Sequence, residues 1–119
     1  MKLEILSFAD AGDISKERLV LKARADIDVG EYAVLRSMTG ASGSKPTSGR
    51  KAAYWFPDVE VKAGDLVILY TKTGTRSTKA LESGSTAYYF YWKKDGPQWG
   101  DGEYGAVLLE VADWQFKTP

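Results

Sequence analysis

The chain has 119 residues, 44% hydrophobic and 27% charged, and its sixteen basic residues balance sixteen acidic ones. A single domain of this length buries a sizeable core without staples, and a zero formal charge argues against a general nucleic-acid binder, which carries a basic excess. With no Cys and no His, disulfides, thiolate nucleophiles, the commonest metal ligands and a Ser-His-Asp arrangement are excluded.

The N-terminal stretch carries Glu4 and Asp10 and no long apolar core, so it does not read as a secretory signal. No run reaches the roughly 18 apolar residues of a membrane span. These features predict a soluble protein, cytoplasmic or associated with a virion or other assembly, without membrane insertion.

In chain order, Lys2 to Phe8 predicts a first strand with Leu3 and Ile5 on one face. Asp10, Gly12, Asp13 and Ser15 mark a turn cluster. Glu17 to Arg24 alternates, with Leu19, Leu21 and Ala23 inward. Asp26 to Gly30 reads as a loop, and Tyr32 to Leu35 as the third strand. Ser37 to Lys51 holds glycines, serines and Pro46 but almost no apolar residues. It cannot bury enough surface to offset its ordering entropy, which predicts a mobile loop.

The stretch from Tyr54 to Tyr70 organises the rest. Val59 and Val61 alternate with Glu60 and Lys62, the period of a half-buried strand. Lys62 to Asp65 then turns the chain, with Gly64 free to take a positive φ. Leu66 to Tyr70 is an unbroken apolar run, so a central hairpin is expected. Thr71 to Thr86 reads as a second long polar loop. Ala87 to Trp92 is an aromatic strand, and Lys93 to Tyr104 a glycine-rich connection with Pro97 and Trp99. Gly105 to Val111 forms a further strand, and Ala112 to Phe116 a short edge strand. No helical period occurs. Seven or more short strands separated by turn signals predict an all-β sandwich or barrel, one domain over residues 1–119.

Three motifs carry a family resemblance: Trp55-Phe56-Pro57, the turn Lys62-Ala63-Gly64, and the strand Leu66 to Tyr70. Trp92-Lys93, Trp99-Gly100 and Ala106-Val107-Leu108-Leu109 follow in the same order. Together they resemble the lamin-tail domain family over about residues 17 to 112. A weaker match is Asp28-Val29-Gly30, where Tyr32 stands for the family's Trp. The resemblance implies an immunoglobulin-like antiparallel β-sandwich of about seven to nine strands. It also implies a non-catalytic module that engages other macromolecules, although this chain carries neither a coiled-coil rod nor an attached enzyme.

The contact surfaces expected from the residues are the long loops and the aromatic strand. In an up-and-down sandwich, Lys45, Arg50 and Lys51 of the first loop emerge beside Lys72, Arg76 and Lys79 of the second. The other end then collects Asp26, Asp28, Glu31, Asp65, Asp95, Asp101 and Glu103 against Lys62, Lys93 and Lys94. Such a charge-separated body favours self-association or an acidic partner. The same six basic residues could instead hold an anionic polymer, nucleic acid included. Tyr89 and Tyr91 share a strand face opposite Trp92 and are expected to point outward. Trp55, Trp92, Trp99 and Trp114 are expected mainly in the core; exposed aromatics would suit a carbohydrate-binding accessory domain. Asp95, Asp101 and Glu103 lack a calcium-loop pattern. Neither the Asp58–Glu60 pair nor Gly100-Asp101-Gly102 has the setting of a catalytic or nucleotide motif. No catalytic residue, cofactor or metal is expected.

Overall fold

The computed structural model describes residues 1–40, 46–100 and 102–119, with the backbone alone over 47–51. The described chain is almost entirely β. Its strands are β1 (Leu3–Ala9), β2 (Arg18–Ala23), β3 (Ile27–Asp28), β4 (Tyr32–Thr39), β5 (Pro46–Trp55), β6 (Glu60–Val61), β7 (Leu66–Tyr70), β8 (Ser77–Ala80), β9 (Thr86–Tyr91) and β10 (Tyr104–Glu110). A single 3-10 turn, Val29–Glu31, joins β3 to β4. The strands form a mixed sheet of order β1-β2-β7-β9-β8, an antiparallel sheet of order β10-β4-β5, and the small pair β3-β6. Among the described residues no helix is long and apolar enough to cross a membrane.

Alternation explains which faces meet. On β2, Leu19, Leu21 and Ala23 are buried while Arg18, Val20 and Lys22 are only partly covered. Leu19 and Leu21 stand beside Leu69 and Val67 of β7, and Leu69 stands beside Phe90 of β9. On the other sheet, Leu108, Val34 and Tyr54 form one inward row. The two inward sets close on one another. Phe56 meets Phe90 edge-on at 5.2 Å, and Tyr54 meets Trp92 at 6.2 Å. Both large sheets therefore contribute to one core, with Trp92 and Trp99 buried at its end. Each such aliphatic or aromatic side chain stabilises the fold by about 1.5–3 kcal/mol.

Several features differ from the sequence expectation. The turn at Gly64 forms, with φ +93° and the Asp65 N–H donating to the Lys62 carbonyl at 3.0 Å. It is not a hairpin turn, however. β6 pairs with β3, whereas β7 pairs with β2 and β9. The Asp65 carboxylate anchors this arch by accepting the N–H groups of Lys62 (2.8 Å) and Thr86 (2.9 Å).

Nor is the sandwich wholly antiparallel, because β7 and β9 run parallel. The cause lies in β8, part of the stretch read as a loop. After β7 the chain steps over the end of β9, descends as the edge strand β8, turns at residues 81–85 and returns as β9 between β7 and β8. Of the stretch Ser37–Lys51, residues 41–45 lie outside the described residues, but its two ends are strand rather than loop: β4 continues to Thr39, β5 starts at Pro46, and Ser37 pairs with Lys51 in register. Backbone hydrogen bonding supports such a pair without apolar side chains. Residues 112–116 form no strand, and 112–119 are exposed.

The parallel pair also overturns the expected charge separation. Lys93 N–H donates to the Lys72 carbonyl at 3.2 Å and Lys94 N–H to the Thr71 carbonyl at 2.9 Å. Lys93, Lys94 and Asp95 therefore lie at the same end as Lys72 and Arg76, not opposite them. The chain turns after Lys79 and Glu82 at the other end, beside Asp65. Asp101 lies outside the described residues.

Candidate binding surfaces

Two surfaces stand out, each produced by a local rule of the fold. The first is the outer face of β10-β4-β5. Outward positions of an antiparallel sheet are usually polar. Here one cross-strand row is Leu109–Ala33–Trp55 and the next is Val107–Leu35–Ala53. Leu109 is 40% exposed and Trp55 48%. Trp55 is held in place by its indole N–H, which donates to the Gly30 carbonyl at 2.7 Å. Trp114 from the C-terminal segment lies edge-on to it, with ring centroids 5.3 Å apart. These two rows contain no charged side chain.

The second surface is at the end where β7 and β9 both finish. Residues 71–76 arch over the end of β9, and Gly74 rests on the Tyr91 ring. A Cβ at Gly74 would lie 2.3 Å from Tyr91 Cε1, so only glycine allows this approach. The arch leaves a cavity of about 710 Å³ whose walls include Tyr54, Arg76, Tyr91, Trp92 and Lys93. Burial pushes the Tyr54 hydroxyl above its usual range, while the nearby Arg76 charge pulls the other way. On the outer side, Tyr91 stacks on Tyr70 at 5.4 Å and 12°, with Lys72 5.1 Å from the Tyr70 ring centre. Lys94 lies 5.5 Å from the Trp92 ring centre.

At the foot of the arch, where Thr71 leaves β7, a buried anion ties the loops together. Glu17 has no exposed surface. Its Oε1 accepts the N–H groups of Gly12 (2.9 Å) and Trp99 (3.0 Å). Its Oε2 accepts the Gln98 N–H at 2.8 Å and the Thr71 hydroxyl. Burial alone would raise this carboxyl, but the hydrogen bonds outweigh it and hold the group below the usual glutamate range. With both oxygens engaged, Glu17 is a structural tie between three loops rather than a base.

The residues singled out from sequence are dispersed. Lys45 lies outside the described residues, and Arg50 and Lys51 are on β5, where only the backbone is described. Lys72 and Arg76 flank the arch. Lys79 is on the exposed edge strand β8, opposite Ala87 and away from them. Tyr89 and Tyr91 are half-buried on the outer face beside Ile68 and Tyr70. The four tryptophans split into two sets: Trp92 and Trp99 are core, whereas Trp55 and Trp114 are exposed. Among the described residues no group of acidic side chains could hold a metal ion.

No family model and no curated protein matches this sequence. Its reading therefore rests on the two surfaces themselves. Sequence reasoning missed Val107, Leu109, Tyr54 and Lys93. For the first two a signal existed: Tyr32–Leu35 and Ala106–Leu109 are continuous apolar runs, the mark of a strand covered on both faces.

Proposed function

We propose that this protein is a non-catalytic interaction module, an immunoglobulin-like sandwich of the lamin-tail type, that works by packing the outer face of β10-β4-β5 against another protein surface. One observation carries the reading: the paired rows Leu109–Ala33–Trp55 and Val107–Leu35–Ala53, apolar where solvent-facing positions are normally polar. The lamin-tail reading rests on the sequence motifs; of their residues, Phe56, Trp92 and Trp99 are buried, Trp55 is exposed, and Gly64 takes a positive φ.

A second copy of the chain is the simplest occupant. The rows carry no charge to repel an identical face, and a twofold pair is self-complementary by construction. Three strands about 4.8 Å apart and seven residues at about 3.4 Å each give a face of roughly 14 by 24 Å. That is about 340 Å² per partner, below the roughly 1,200–2,000 Å² total of standard specific interfaces, so the pair is weak, transient and concentration-dependent. Sedimentation velocity over rising protein concentration tests this, with Val107→Asp/Leu109→Asp as the disrupting variant.

A further inference from the structure

We propose that the cavity beneath the 71–76 arch binds a nucleotide, with its phosphates on Arg76 and Lys93 and its base against Tyr54 and Trp92. This site is separate from the apolar sheet face and does not depend on it.

Charge is the first argument. Arg76 and Lys93 line the cavity, and Lys72 and Lys94 stand just outside it, above the rings of Tyr70 and Trp92. Among the described residues none of these four cations is in an ion pair; the pairs formed are Arg18–Asp10, Arg24–Glu4 and Lys62–Asp26. Among the described residues no acidic side chain lines the cavity. Four like charges gathered at one end, with Asp95 the acid next to them in sequence and none of the four in an ion pair among the described residues, repel one another, and a polyanion relieves that repulsion. Phosphate suits the set, because a guanidinium offers it a planar fork and ammonium groups supply point charge.

Size and lining are the second argument. A volume of about 710 Å³ is far more than one phosphate needs and falls within the roughly 300–1,000 Å³ typical of small-molecule sites. Beside Gly74 and Thr75, the rest of the wall is Tyr54, Tyr91 and Trp92, and the rings of Tyr54 and Trp92 offer a nucleobase flat apolar surface.

Rigidity is the third. The arch is clipped to the β9 extension by the Lys93–Lys72 and Lys94–Thr71 backbone hydrogen bonds. Thr71 in turn donates to the buried Glu17. The backbone that carries Lys72, Lys93 and Lys94 is thus held in place, and less ordering entropy is lost there on binding.

Calorimetric titration and amide NMR of the full chain with ATP, pyrophosphate and sulfate at matched ionic strength test the assignment. ATP is expected to shift the amides of Gly74, Arg76 and Lys93 and to bind at least tenfold tighter than pyrophosphate. Arg76→Glu combined with Lys93→Glu is expected to weaken ATP at least tenfold. Both sites are exposed, so the fold, checked by circular dichroism, is expected to survive. Gly74→Ala provides a charge-neutral second variant that must displace the Tyr91 ring, and it too is expected to weaken ATP. No shift at millimolar ATP, equal binding of pyrophosphate, or full affinity in the charge-reversed protein would overturn the proposal.

Discussion

The buried carboxylate of Glu17 accepts the backbone N–H of Gln98 at 2.8 Å, across 81 residues of chain. The same side chain reaches Gly12, Thr71 and Trp99, so the loops after β1, β7 and β9 share one anchor. Removing its charge should loosen all three together. In Glu17→Gln, one acceptor oxygen becomes an amide donor facing an N–H. A buried donor left without a partner costs about 1–3 kcal/mol, more where the lost acceptor was charged. Urea unfolding is expected to show a loss of about 2–4 kcal/mol on this account.

The same tie sets a pH dependence. Glu17 titrates below its ordinary value of 4.5 in the folded state, so the unfolded chain takes up its proton first as pH falls. Its stabilisation is complete above that ordinary value and is lost as pH drops through the lower folded value. Unfolding midpoints measured from pH 7 downward should therefore fall in the wild type. This component should be absent in Glu17→Gln.

Gly100 and Gly12 make the close approach that lets the cage shut. A Cβ on Gly100 would lie 2.4 Å from the Gly12 Cα, which is backbone and cannot swing aside, whereas a Cβ on Gly102 meets nothing within 4 Å. Gly100→Ala is expected to cost about 1–3 kcal/mol as overpacking. Gly102→Ala is expected to stay within about 0.5 kcal/mol of wild type, as exposed substitutions do. Thermal unfolding of the two variants side by side makes the comparison.

Asp28 performs a smaller version of the same task. Its Oδ1 accepts the Gly30 N–H at 2.8 Å, capping the 3-10 turn, and the Val59 N–H at 3.1 Å. Asp28→Ala frees both donors and should cost about 1–2 kcal/mol, the range of a lost cap. Faster amide exchange at Gly30 and Val59 is the local signature.

The sequence was most legible where one face of a strand is buried and the other wet. β1, β2, β7 and β9 fall within a residue or two of the periodicity reading, and the sidedness of Tyr89 and Tyr91 against Phe90 and Trp92 followed from period two alone. It was illegible where pairing is carried by backbone alone. β8, Ser-Thr-Lys-Ala, has all four residues exposed and no apolar stripe to read, and missing it put Lys93, Lys94 and Asp95 at the wrong end. Glu17 offered no signal at all. A glutamate opening an alternating strand looks solvent-facing, and only the convergence of three distant loops makes it a buried anchor.

The central claim is that the outer face of β10-β4-β5 is a contact surface, and sedimentation velocity from micromolar to millimolar protein tests it most directly. The weight-average sedimentation coefficient should climb with concentration for the wild type, and should stay at the monomer value for Val107→Asp/Leu109→Asp. A wild type that remains monomeric throughout, or a double variant that associates equally well, would contradict the account.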